Sequence, residues 1–208
     1  RVDGDRILSQ GLQQAETVLG FLMHHELGRT EGQLPEPVLA LDGQRRGDLM
    51  VPTMGGYTGN LKLLQEAALG AGFITTLPDL DGVIRRSPLV LRHGDSLYPS
   101  LALELARVLF FAEGVEIETQ PLGSRRALDA VKLGHLSLQT DAEGRALVPY
   151  QGGRFSYPYV SATDVLEGTL SDEERANLRD ALVLVGTSAQ GLADLITTPL
   201  STGVPGVE

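Results

Sequence analysis

The sequence predicts an α/β fold: one domain, built as a mixed, mostly buried sheet with helices packed on its faces. Three observations carry this. Leu101, Leu105, Val108 and Leu109 recur at helical spacing behind a Ser100 cap. Short β-prone runs such as Thr17–Met23 and Phe73–Thr76 alternate with such helical stretches. Ala181–Gly186 is apolar on both of its alternating faces, as a strand covered on each side of a sheet would be. Helices interleaved with short apolar strands are the pattern of a layered α/β domain.

Taken in order, Asp5–Ala15 carries Ile7, Leu8, Leu12 and Ala15 at helical spacing and leads into the strand Thr17–Met23. Residues 26–58 are rich in Gly and Pro with little periodicity and are expected to form an irregular loop. Asn60 is placed to cap a helix over Leu61–Leu69, closed by Gly70 and Gly72. Val83–Arg92 reads as strand around Pro88, and Leu101–Phe111 as the clearest helix. Val115–Glu118, Leu136–Leu138 and Ala146–Val148 read as short strands, the last two joined by an Asp141–Gly144 hairpin turn. Ser161–Leu166 fits a short helix. Ser171 opens another, with Asp172, Glu173 and Glu174 at the positive end of its dipole.

With 27 acidic against 17 basic residues, the net charge of −10 repels phosphate backbones, which excludes a nucleic-acid partner. Cysteine is absent, so neither disulfides nor thiolate chemistry operates. No run of about 18 apolar residues spans a membrane. The chain opens at Arg1 without an initiator Met, so a longer polypeptide is expected around it.

Catalytic and metal motifs fail on spacing. Ser188 follows the Ala181–Gly186 strand where a hydrolase nucleophile elbow sits, but Gln190 occupies the second glycine position and no His follows residue 135. Asp79-x-Asp81-Gly82 begins like a calcium loop and then continues with Val83, Ile84 and Arg85 in place of oxygen ligands. The four histidines show no metal-ligand spacing, and adjacent His24 and His25 point to opposite faces of a strand. No catalytic residue, cofactor or metal is predicted.

Three stretches say more. Gly72–Leu89, Leu97–Ala106 and Val183–Asp194 with Thr198-Pro199 and Val204–Glu208 together resemble the signature of the type-two CHASE domain, the cyclase and histidine-kinase associated sensory extracellular domain. Gly4–Leu8 and Ala15–Gly20 are similar to a helix and strand from the middle of that family's domain, whose earlier portion would precede Arg1. The resemblance implies a periplasmic, signal-input domain of a bacterial inner-membrane protein. Such domains join transmembrane helices to a cytoplasmic output, often an adenylate cyclase, or else a histidine kinase or diguanylate cyclase. It implies an unknown small-molecule, ion or protein stimulus, and a homodimer is expected because such outputs work in pairs. The alternatives are a small extracytoplasmic hydrolase and a ligand-free dimerisation module.

Within the signature, Asp79, Asp81, Arg85 and Arg86, with Tyr98, Thr187, Ser188 and Asp194, are the candidate ligand contacts, since polar groups beside structured turns can converge on a ligand. The competing role for the Asp-Gly and Pro-rich stretches is to fix backbone turns.

Overall fold

Glycines in two strand positions govern how the main helix packs. A computed structural model of the chain describes residues 3–40, 48–153, 156–187 and 195–206. The elements run α1 (Gly4–Gln13), β1 (Val18–His24), β2 (Thr30–Glu31), β3 (Leu39–Ala40), β4 (Gly56–Thr58), α2 (Lys62–Gln65), β5 (Gly70–Phe73), β6 (Arg86–Pro88), β7 (Val90–His93), β8 (Ser96–Pro99) and α3 (Leu101–Leu109). They continue with β9 (Glu116–Leu122), β10 (Arg125–Leu133), β11 (Leu136–Gln139), β12 (Arg145–Leu147), α4 (Ala162–Glu167), α5 (Asp172–Asn177), β13 (Leu195–Thr197) and β14 (Thr202–Pro205). Gly70 and Gly72, expected to close a helix, lie in β5 instead. A Cβ on Gly70 would meet the Glu104 carboxylate of α3, and one on Gly72 would meet the backbone of Leu101 and Ser100. The two glycines therefore let α3 lie against β5 at backbone distance.

The fold class is the mixed α/β one, but the described strands form five small sheets rather than one. They divide into two compact units, residues 1–77 with 86–147 and residues 78–85 with 148–208.

In the first unit, β1 pairs parallel with β5 and antiparallel with β4, giving the order β2-β4-β1-β5. Past the end of β5 the Thr75 hydroxyl extends this pairing, accepting from the Met23 amide at 2.8 Å and donating to its carbonyl at 2.7 Å. The β7–β8 hairpin is apolar on both faces. Val90 and Leu97 join a cluster with Leu49, Leu103, Leu128 and Val131, while Leu91 and Tyr98 join another with Phe21, Met23, Met54 and Phe73. This hairpin thus takes the doubly covered central place that the sequence assigned to Ala181–Gly186.

The meander β9-β10-β11 supplies Leu128, Val131 and Leu133 to the first cluster. Strand β10 went unread in the sequence because Arg125, Arg126, Asp129 and Lys132 interrupt its apolar positions. The Asp141–Gly144 turn forms as expected, with Gly144 N–H donating to Asp141 O at 2.9 Å, but it joins no hairpin. β11 pairs with β10, whereas β12 pairs with β6. The described residues of 26–58 include β2, β3 and β4, a bridge from Gln33 to Asn60, and an amide bond from Val38 to Leu97 O at 2.9 Å. The helix expected over Leu61–Leu69 shrinks to the single turn of α2, capped by no side chain, because its N-cap position falls on Leu61 rather than on Asn60, whose amide nitrogen donates to Gln65.

In the second unit, α5 begins with a complete capping box between Ser171 and Glu174, and α4 ends on Gly168 in the left-handed conformation. Ile84 and Val204 are buried, and the Tyr150 hydroxyl donates to the Ile84 carbonyl at 2.7 Å. The expected strand Ala181–Gly186 is not one. Leu182, Val183 and Leu184 are each about half exposed, Val185 is 91% exposed, and no backbone hydrogen bond ties residues 181–187 to another described residue. No described strand offers them a ladder, and without one an apolar run has nothing to fix it as β-structure.

Candidate ligand site

The Asp79–Arg85 segment is a turn closed on itself. Gly82 takes φ +80°, a conformation that only a glycine adopts without strain, and its amide donates to Asp79 O at 2.8 Å. The Val83 amide donates to Asp81 Oδ1 at 3.1 Å. Arg85 then grips both carboxylates: Nη1 reaches Asp79 Oδ2 and Asp81 Oδ1 at 3.0 Å, and Nη2 reaches Asp81 Oδ2 at 2.8 Å. The guanidinium bonds and the Val83 amide hold the Asp81 carboxyl down to about 2, and the same carboxylates raise Arg85. Three sequence candidates are thus brought together, with one guanidinium shared between two carboxylates.

Arg86 turns instead toward Asp141, 3.9 Å away, which is also held by Arg145 at 2.9 Å. Tyr98 lies in the core, edge-on to Phe21 at 6.4 Å between ring centres, and its burial raises the phenol's pKa. Thr187 is exposed. Ser188 and Asp194 lie outside the described residues.

A concavity lies elsewhere, in the first unit. A cleft of about 470 Å³, within the usual range for small-molecule sites, opens between the Gln33–Val38 segment, α2, and the ends of β5 and α3. On its lining, Glu104 is 6% exposed and is clasped by Arg107, with Nε to Oε2 at 2.9 Å and Nη2 to Oε1 at 2.8 Å. These bonds raise the Arg107 pKa, and its remaining Nη1 donates to Ala112 O at 3.3 Å. Gln65 is 8% exposed, and its Oε1 accepts from Asn60 Nδ2 at 3.1 Å.

Sequence reasoning missed this cleft because it placed the buried face of α3 on Leu101, Leu105, Val108 and Leu109. The structure buries Leu103 and Glu104 and leaves Leu109 56% exposed. The available signals were Glu104 and Arg107 at i,i+3 within an apolar helix and the glycine pair of β5.

At the end of β1 both ring nitrogens of His24 are buried, and neither has a hydrogen-bond partner among the described residues. Among the described residues, no group of three or more His, Cys, Asp or Glu could hold a metal ion, and no helix is long and apolar enough to cross a membrane.

The described residues form a mixed α/β protein with a cleft of small-molecule size in its first unit. The CHASE2 domain family model matches residues 1–208, and the chain belongs to that family of sensory extracellular domains of signalling receptors. No curated protein and no solved structure matches it.

Proposed function

We propose that the chain is the periplasmic signal-input domain of a bacterial inner-membrane receptor, regulating a cytoplasmic adenylate cyclase, or else a histidine kinase or diguanylate cyclase. The observation that carries this reading is the whole-chain membership of a sensory family. The cleft of about 470 Å³ in the first unit supports this reading, since a sensor of a small molecule needs a concavity of that size. Input of this kind requires a stimulus whose affinity differs between two states of the domain, since equal affinity shifts no equilibrium. A homodimer fits the reading, because cyclase and kinase outputs assemble their sites from two chains.

The test is made on the receptor in bacterial membranes. Added protease should cut the domain in spheroplasts and spare it in inverted vesicles. Exchanging the domain for an unrelated periplasmic one should abolish the response of cyclic-nucleotide or phosphoryl output to the external medium. Output that ignores the exchange overturns the proposal, and sedimentation of the isolated chain as a concentration-independent monomer removes the dimer from it.

A further inference from the structure

The first unit holds a second concavity, of about 340 Å³, where β3 and the Asp48–Leu49 segment meet β9 and the start of β10. We infer that it binds an α-amino acid with a branched aliphatic side chain. The floor is apolar: Leu49 is 4% exposed and belongs to the first cluster, and Leu39 and Ile117 pack against that cluster. Two charged residues, Asp48 and Arg126, also line the concavity, and both are open to solvent. Backbone pairing sets them side by side, with the Arg126 amide donating to Asp48 O at 2.6 Å and the Met50 amide donating to Arg126 O at 3.0 Å. Even so, no ion pair joins them, and neither has an ionic partner elsewhere among the described residues.

The Arg126 guanidinium is nevertheless held in place. Its Nε and Nη2 donate to Thr119 Oγ1 at 2.9 and 2.6 Å, and Nη2 also reaches Thr119 O at 3.2 Å. Nη1 is left with hydrogens to donate and no acceptor among the described residues. A guanidinium fixed before its ligand arrives loses less freedom when it takes a carboxylate. The two charges then decide the ligand class. A plain carboxylate at Arg126 would face the charge of Asp48, and a plain amine at Asp48 would face the guanidinium. A molecule that carries both signs a few atoms apart finds a partner for each. An α-amino acid has its carboxylate and ammonium on one carbon, which leaves its side chain for Leu39, Leu49 and Ile117. The volume, at the small end of the range for ligand sites, suits a molecule of that size.

L-Leucine titrated into the isotope-labelled chain should shift the Ile117 and Arg126 backbone amides and the Arg126 Nε signal saturably at concentrations up to about 10 mM. Two analogues each lack one charge: isocaproate has no ammonium, and leucinamide has no carboxylate. Each should bind about fivefold more weakly than leucine. Arg126→Gln should weaken leucine by a similar factor without weakening leucinamide, and Asp48→Asn should weaken leucine without weakening isocaproate. Both side chains are exposed, so neither change threatens the fold. Arg175→Gln on α5 should leave all three affinities as they are, which controls for net charge.

Equal affinities for leucine and both analogues, an unsaturable response, or an Arg126→Gln variant that loses leucine and leucinamide alike would each overturn the amino-acid site. The sensory reading does not depend on this site and is decided separately by the domain exchange. Output that still follows the external medium while leucine fails to bind removes only the site.

Discussion

The two units handle apolar sequence in opposite ways. In the first, the β7–β8 hairpin puts Val90 and Leu97 into one cluster and Leu91 and Tyr98 into another, and every one of these side chains is buried. In the second, Leu182 to Val185 is as apolar and as β-prone but is open to solvent. Composition is the same in kind, so composition does not decide burial. The hairpin supplies its own ladder, Val90 to Pro99 through His93 to Ser96, whereas the Ala181–Gly186 run has no described strand to pair with. Apolar residues become core only where the backbone polar groups beside them are also satisfied.

The largest expected effect tests that contrast directly. Leu103, 1% exposed on α3 and packed in the first cluster, should cost about 3 kcal/mol as Leu103→Ala, from lost transfer energy and the cavity left behind. Leu184→Ala should change stability by less than about 0.5 kcal/mol. Urea unfolding of both variants checks this. A Leu184→Ala loss as large as that of Leu103→Ala would mean the run is covered in solution, and hydrogen exchange at residues 182–186 would then be slow instead of fast.

Ion pairs repeat the contrast. Arg107→Ala strands a Glu104 carboxylate that is 6% exposed and should cost about 2 kcal/mol, below the full penalty for a buried pair because the arginine side chain is 27% exposed. The matching change in the second unit, Arg85→Ala, removes a pair whose side chains are 40% and 55% exposed, and should leave the urea midpoint at neutral pH close to wild type. A large loss there would show that the Asp79–Arg85 turn supports packing beyond itself.

Two glycines sharpen the comparison further. Gly82 and Gly144 have nearly the same φ, +80° and +81°, so an alanine at either pays the left-handed penalty of about 1 kcal/mol. A Cβ on Gly82 meets nothing within 4 Å, while one on Gly144 comes within 2.7 Å of Leu128 Cδ2 in the core. Gly144→Ala should therefore lower the melting temperature more than Gly82→Ala, and equal shifts would mean that Leu128 moves freely.

What the sequence made legible follows from how local each feature is. Ser100 and Ser171 cap helices because a cap needs only three residues of chain, and the side chain of each accepts from the amide three residues on. The Asp79–Gly82 turn was readable for the same reason. The α3 face was misread because its registration depends on Gly70 and Gly72, some thirty residues earlier, admitting Glu104 where an apolar residue was expected. Strand β12 was found, but its partner β6 lies across α3 and five intervening strands, and no local signal names a partner at that distance. The cleft is a meeting of four separate segments, so no one of them could announce it. Of the eight candidate contacts, the three brought together are Asp79, Asp81 and Arg85 on one turn, whereas Arg86, adjacent in sequence, turns to Asp141.

The smallest effect concerns those three. Asp81 titrates at about 2 in the folded chain against 3.8 for the free side chain. Because the folded value is the depressed one, the stabilisation is fully present above about pH 4 and is lost as pH falls through 3.8 toward 2. Carboxyl-carbon NMR should place the Asp81 midpoint near 2 in the wild type and return it toward 3.8 in Arg85→Ala. Acid unfolding of that variant should lose only its lowest-pH limb, since the Gly82 turn and the Asp81 to Val83 amide bond persist without the guanidinium. A wild-type midpoint near 3.8 would mean that Arg85 is released in solution, leaving both carboxylates and the guanidinium available to a ligand. A midpoint near 2 leaves them occupied with one another, and the input of the domain is then to be sought in the cleft rather than in the signature turn.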